Sequence, residues 1–417
     1  MTLTSLMRVW LTRSFKPFEF KNKYEDRLDF KDADQLGLYV HIPFCRAICS
    51  FCPYCKEIYD PHLAESYKQA LLKEIKLIGD TLADSKEVTS LYFGGGTPAL
   101  MVDSLGEIIR ALKQYFVIRG GVGVELHPDD VNDETLLKLK EAGVTMISIG
   151  IQSFHQDCLS AIGRKMPDYN EIFKAIRKAN FDTVDMDLIF AIPGQTNEIL
   201  KKDIDTAFSN GATQISAYPF IDFTFANNRY KPLPEREKKK LLSEMTAYCA
   251  QKGYKRTSVW TFAKPNTDKY SSVTRENFLG FGVSATTLLK TQFKINTFSI
   301  DGYIERVDQG HLPTSLNLDF SLYQRMVYYL FWSAYSMRIN MNHFQEFFNV
   351  PLNRQYGLEL FICRILGFIK KKGNEYHLTE RGAYYYHTIE QAYTTAYIDK
   401  MWNISRNEAF PEKIVLK

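Results

Sequence analysis

The stretch Tyr39-Val-His-Ile-Pro-Phe-Cys45-Arg-Ala-Ile-Cys49-Ser-Phe-Cys52 joins an apolar run to a tight cluster of thiols. The run Leu38 to Ile42 is short and nearly all apolar, which predicts a strand covered on both faces. CxxxCxxC follows at once, where a βα barrel places its working loops. Three thiolates on one loop can bind three irons of a 4Fe-4S cube and leave the fourth open to a small molecule carrying an amine and a carboxylate. Cys55 adds an alternative. As a fourth ligand it would close the cluster and make an electron carrier, whereas a four-thiolate zinc site normally has a longer loop between its cysteine pairs. A free thiol near a substrate, or an inert one, is the remaining reading. The other three of the seven cysteines, Cys158, Cys249 and Cys363, lie apart in apolar segments and read as core thiols.

Downstream, strands are expected at Leu91 to Phe93, Val122 to Leu126, Met146 to Ile151, Thr183 to Ile189 and Gln214 to Tyr218. Helical patterns at Leu63 to Leu82, Leu105 to Tyr115, Asp133 to Ala142, Glu171 to Ala179, Ile199 to Asn210 and Glu235 to Gln251 alternate with them. Such alternation predicts an α/β fold, a partial barrel of six βα units with an open side and function at the C-terminal strand ends. After about residue 290 come helices at Leu322 to Met337 and Leu358 to Lys372, a strand at Glu375 to Leu378 and a helix from Arg381 to Trp402. This is expected to be a mostly helical, winged-helix-like domain serving as a lid or packing module, with no nucleic acid bound. The division is an arm over 1–35, a barrel over 36–290 and a C-terminal domain over 291–417.

The composition fits a packed protein of 417 residues, 45% hydrophobic and 24% charged. Its 52 basic and 48 acidic residues leave +4, so nothing in the overall balance argues for nucleic acid or an anionic membrane; either would need a local patch. No apolar run is long enough to span a bilayer, and Arg8, Arg13 and Lys16 interrupt the N-terminal apolar positions. Clustered rather than dispersed cysteines point to a reducing cytoplasm.

With Tyr92-Phe-Gly-Gly-Gly-Thr-Pro98, Ile149-Gly-Ile-Gln-Ser-Phe154, Asp187-Leu-Ile-Phe-Ala-Ile-Pro-Gly-Gln-Thr196 and Gly280-Phe-Gly-Val-Ser-Ala285 in order, the chain resembles the radical S-adenosylmethionine superfamily. Within it, the likeness is to the group of oxygen-independent coproporphyrinogen III dehydrogenases and radical-type heme chaperones. The resemblance implies a radical SAM barrel and an oxidoreductase. Cys45, Cys49 and Cys52 would hold the cluster and S-adenosylmethionine its open iron, with an electron donor such as flavodoxin or ferredoxin. It implies Tyr39, Gly95, Gly96, Thr97 and Glu125 as first-cofactor contacts. Phe51, Gly96, Thr97, Gln152, Arg164 and Asp187 match the positions that bind a second S-adenosylmethionine. Gly94, Gly95 and Gly96 would let main chain approach the methionyl part. A tetrapyrrole substrate is implied, with heme carriage and methyl transfer as alternatives.

The chain also departs from that group. Cys55 is one position later than the dehydrogenase's extra cysteine, residues 1–35 lack its Arg-Tyr-Thr-Ser-Tyr-Pro segment, and Ser271 to Phe278 holds no match to the chaperones' heme histidine. His41 is expected to support the cluster loop, and His127 to be a satisfied buried imidazole.

Overall fold

The computed structural model describes residues 3–22, 27–49, 51–223, 231–271 and 276–416; Ser50, Glu25 and Arg275, all in stretches discussed above, lie outside them. The six expected strands are present as Leu36–Ile42, Ser90–Gly95, Val122–Leu126, Met146–Gln152, Thr183–Phe190 and Gln214–Pro219, here termed the first to sixth barrel strands. They pair in parallel and in chain order. Their outer faces carry side chains such as Val40, Phe93, Val124, Ile147 and Leu188, all fully buried against helices. Tyr169–Ala179 shows how a crossover helix is specified: Ile172, Phe173, Ala175 and Ile176 form its buried face, and left-handed Asn180 ends it. Asp60 caps Pro61–Gly79, accepting from the Leu63 amide, with proline at the first helical position.

The sheet is larger than expected. Asn277–Phe281 adds a parallel strand on the free side of the first barrel strand. Beyond it run Thr286–Leu288, Gln292–Asn296, Thr314–Asp319, Phe18–Lys21 and Lys413–Leu416, and past the sixth barrel strand Thr261–Ala263 and Lys255–Arg256, giving an open sheet of 14 strands among the described residues. The limits at 35/36 and 290/291 are therefore not limits of the sheet, because the N-terminal arm and the last residues both pair into it.

Residues 322–378 form a helix, a strand, two helices and a hairpin, the winged-helix order, around their own apolar cluster. One expectation needs correcting. The helix over Leu358 to Lys372 is instead Leu352–Ile365, and Ile369–Lys372 is a strand paired with Glu375–Leu378. Gly367, at φ 71°, stops the helix, and pairing overrides the helix preference of the lysine run. The final helix, Glu380–Tyr393, continues through a π-helical turn into Asp399–Asn407. It reaches the barrel at both ends: Trp260 Nε1 donates to His387 Nδ1 at 3.0 Å, and Arg406 holds the Pro53 and Tyr54 carbonyls just past the cysteines.

Candidate active site

The loop after the first barrel strand is tied at its base. Phe44–Cys45 pairs with Glu57–Ile58, and the Glu57 and Tyr59 amides donate to the Pro43 and Cys45 carbonyls at 2.8 and 2.9 Å. Between these ends Cys45, Cys49 and Cys52 are free and partly exposed. Arg46 pairs with buried Asp130 of the loop after the third barrel strand. Among the described residues, no three of His, Cys, Asp or Glu converge on one point as ligands of a single ion would. A cuboidal cluster asks for something different, one thiolate for each of three irons, and three thiols spread along one anchored loop suit it. Burial pushes the Cys45 thiol up to about 11, so iron binding there must displace a proton.

Cys55 is placed differently. It is buried, its Sγ donates to the Phe298 carbonyl at 3.5 Å, and burial pushes it up to about 11. Its carbonyl accepts from His41 Nε2 at 3.0 Å, which leaves Nδ1 to accept from the Tyr39 hydroxyl at 3.0 Å. Burial lowers His41 to about 4, so this neutral tautomer persists at neutral pH. His41 thus supports the loop, and Tyr39 is engaged with it while stacking on Tyr92, the ring centroids 6.1 Å apart.

The glycines close this wall. A Cβ on Gly94 would stand 3.0 Å from Glu125, one on Gly95 2.6 Å from the His41 ring, and one on Gly96 2.5 Å from the Phe44 carbonyl. On those sides the missing side chains make room for neighbouring protein atoms. The Gly96 and Thr97 amides donate to the Ile42 and Phe44 carbonyls, both at 2.7 Å, and Thr97 Oγ1 is 4.0 Å from Cys45 Sγ. Glu125 accepts from the Tyr92 hydroxyl at 2.8 Å and the Gly95 amide at 3.1 Å, while burial raises its pKa.

Gln152 ends the fourth barrel strand with φ 70°, a left-handed conformation that costs a non-glycine residue energy and is typical of functional sites. Arg164 Nη1 lies 2.7 Å from His127 Nε2 and donates to the Gly150 carbonyl at 3.3 Å; its guanidinium is 5.9 Å from the Phe51 ring centroid. Among the described residues its Nε has no partner. Burial and Arg164 together lower His127 to about 4. Asp187 accepts from Ser148 at 3.0 Å and is pushed well above the carboxylate range by burial and by Asp185 and Glu125. Arg164 and Asp187 are thus brought to the same interior, each with its own partners rather than each other.

Sequence reasoning missed Asp185. It faces inward beside Asp187, accepts from Ser216 at 2.8 Å, and burial pushes it up to about 7. Gln214, its neighbour in register, donates through Nε2 to the Tyr270 carbonyl at 3.0 Å. Ser216, the Gln214 side chain, the Met186 amide and Ser148 pull the other way, favouring the charged form of Asp185. The spacing Asp185-x-Asp187 within a strand was the available signal, since alternate residues share a face. Tyr54 and Tyr218 were also missed. They are 52% and 40% exposed, and Tyr218 lies on the same strand face as Gln214 and Ser216. Tyr218 at a strand end was legible; Tyr54 was not.

The radical SAM superfamily matches residues 39–207. An oxygen-independent coproporphyrinogen III oxidase from Synechocystis sp. is 24% identical, covering 96% of this chain and 94% of its own. The heme chaperone HemW of Bacillus subtilis is 30% identical over 66% of this chain and 76% of its own. The solved structure of the coproporphyrinogen III oxidase HemN from Escherichia coli shares the fold at a TM-score of 0.76 and 21% identity, covering 93% of this chain and 98% of that one. The chain belongs to the radical SAM superfamily, as a radical SAM oxidoreductase of the group that holds the oxygen-independent coproporphyrinogen III oxidases and the HemW heme chaperones.

Proposed function

We propose that Cys45, Cys49 and Cys52 hold a 4Fe-4S cluster and that the chain uses it to cleave S-adenosylmethionine reductively, acting on a flat tetrapyrrole. When bound, the cluster supplies one electron that breaks a carbon–sulfur bond of the sulfonium, giving methionine and a 5′-deoxyadenosyl radical that abstracts hydrogen. The chain's own part is positioning. His41 and Arg406 fix the loop through the carbonyls of Cys55, Pro53 and Tyr54. Tyr39, Gly95, Gly96, Thr97 and Glu125 hold the first cofactor, where the Glu125 carboxylate regains its charge opposite a cation. Phe51, Gln152, Arg164 and Asp187, with Gly96 and Thr97, hold a second.

The observation that carries this reading is the loop itself: three open thiols on a segment anchored at both ends, against a wall ending in Gly95 and Glu125. Tyr54 and Tyr218 support a flat substrate, because aromatic faces stack on one. We place the protein in a reducing cytoplasm with flavodoxin or ferredoxin as donor, and take 36–290 as the catalytic unit, flanked by 1–35 and 291–417. The test is anaerobic reconstitution, then incubation with coproporphyrinogen III and with heme. Loss of two carboxyl units by mass identifies the oxidase, a one-carbon gain a methyltransferase, and unaltered bound heme a carrier.

A further inference from the structure

The helix Leu352–Ile365 buries Leu352, Tyr356 and Leu360 in the winged-helix core. Its other face is also apolar. Leu358 is 62%, Phe361 56% and Ile365 68% exposed, and Ile362 and Leu366 are exposed beside them. Positions 358, 361, 362, 365 and 366 recur at helical spacing, so they form one continuous outward ridge. A second helix, Leu3–Thr12, lies alongside: Trp10 Nε1 donates to Glu359 at 2.6 Å, and Arg13 pairs with the same carboxylate. It adds exposed Leu6 and Trp10. An exposed apolar ridge rimmed by polar residues is a candidate interaction surface.

The surroundings say which kind. Arg354 and Arg364 are exposed on the same helix, and Lys370, Lys371 and Lys372 are exposed on the strand that follows. Among the described residues none of the five makes an ion pair, and the one carboxylate on the helix, Glu359, is already taken by Arg13. A two-fold contact with a second copy would bring this basic rim against itself. In a DNA-reading winged helix this helix would present polar side chains to base edges, and here it presents Leu, Phe and Ile. A convex apolar ridge with an aromatic residue beside it and a basic rim is the pattern of a helix lying in a lipid headgroup layer. No described helix is long and apolar enough to cross a membrane, so the contact is peripheral.

We propose that the helix Leu352–Ile365, with Trp10 and the lysines at 370–372, docks the protein on an anionic bilayer surface. The overall charge of +4 gave no such hint; the local patch does. The test is co-sedimentation of the full-length reconstituted protein with phosphatidylcholine vesicles, with and without about one third phosphatidylglycerol. The expected result is binding to the anionic vesicles at least about 10-fold stronger than to neutral ones and weakened by salt. Phe361→Ser with Ile365→Ser should abolish it, and replacing all three lysines by Gln should weaken it roughly 10-fold or more. All these side chains are solvent-facing, so circular dichroism should be unchanged. Equal binding by wild type and variants overturns the proposal, as does no binding to either vesicle. A dimer in light scattering that becomes a monomer in the double variant would show that a second copy covers the ridge, and would also overturn it. Capture of an acidic protein without vesicle binding would count against it equally.

Discussion

On the cysteine side of the barrel, the first two strands meet their neighbours with glycine and main chain: Gly94 yields to Glu125, Gly95 to His41 and Gly96 to the Phe44 carbonyl. Across the interior, the fourth to sixth strands meet theirs with Ser148, Asp185, Asp187 and Ser216, the Asp185 carboxyl buried and Asp187 half-buried on the same strand. The near wall fixes a loop by close steric fit. The far wall favours protonated carboxyls, because burial makes charge costly there and Asp187 stands beside the carboxyls of Asp185 and Glu125. Geometry should therefore govern failure on the near side, and pH on the far side.

The largest expected effect is on the loop itself. Cys49→Ala should reduce 5′-deoxyadenosine formation to background, with iron content falling in parallel; retained activity would show that the three-thiol assignment is wrong. Next comes the fit around it. In Gly96→Ala the new methyl meets main chain at 2.5 Å, which cannot swing aside, so a loss of about 2 kcal/mol or more is expected in urea unfolding, together with weaker iron retention. Stability unchanged in that variant would remove the steric account of the near wall.

The far wall is tested by pH. Burial pushes Asp185 up to about 7 in the fold, above the value of about 3.9 for an unfolded Asp. The folded state therefore binds more protons between these values, and this contribution to stability, full below pH 4, is lost as pH rises through about 7. Asp185→Asn should abolish that fall, so that variant and wild type diverge by an amount of order 1–3 kcal/mol between pH 5 and pH 8. Parallel stability curves would mean that Asp185 is ionised throughout. The smallest effect sharpens the same wall. Ala191, just past the fifth barrel strand, is fully buried at φ 64°, so Ala191→Gly should relieve about 1 kcal/mol of backbone strain, read as a higher urea midpoint.

These two walls were unequally legible. The six barrel strands stood out because each is an apolar run bounded by turns, and the cysteine loop because its spacing is chemical. The role of the glycines was read only in part: sequence shows that side chains are missing at 94–96, and packing alone shows that Glu125, His41 and Phe44 occupy the room. Asn277–Phe281 passed as a glycine motif because its parallel partner lies far away in the chain. The lysine run at 370–372 looked helical until its pairing with 375–378 was known. Arg164 and Asp187 were found, but their partners His127 and Ser148 come from distant strands and loops that no local pattern links.

One measurement bears most directly on the central claim. Protein reconstituted with iron and sulfide without oxygen, reduced with dithionite and given S-adenosylmethionine, should release 5′-deoxyadenosine and methionine in equal amounts. Iron-loaded protein that releases neither, while Cys55→Ser loses its iron, would contradict it by placing a fourth thiolate on the cluster.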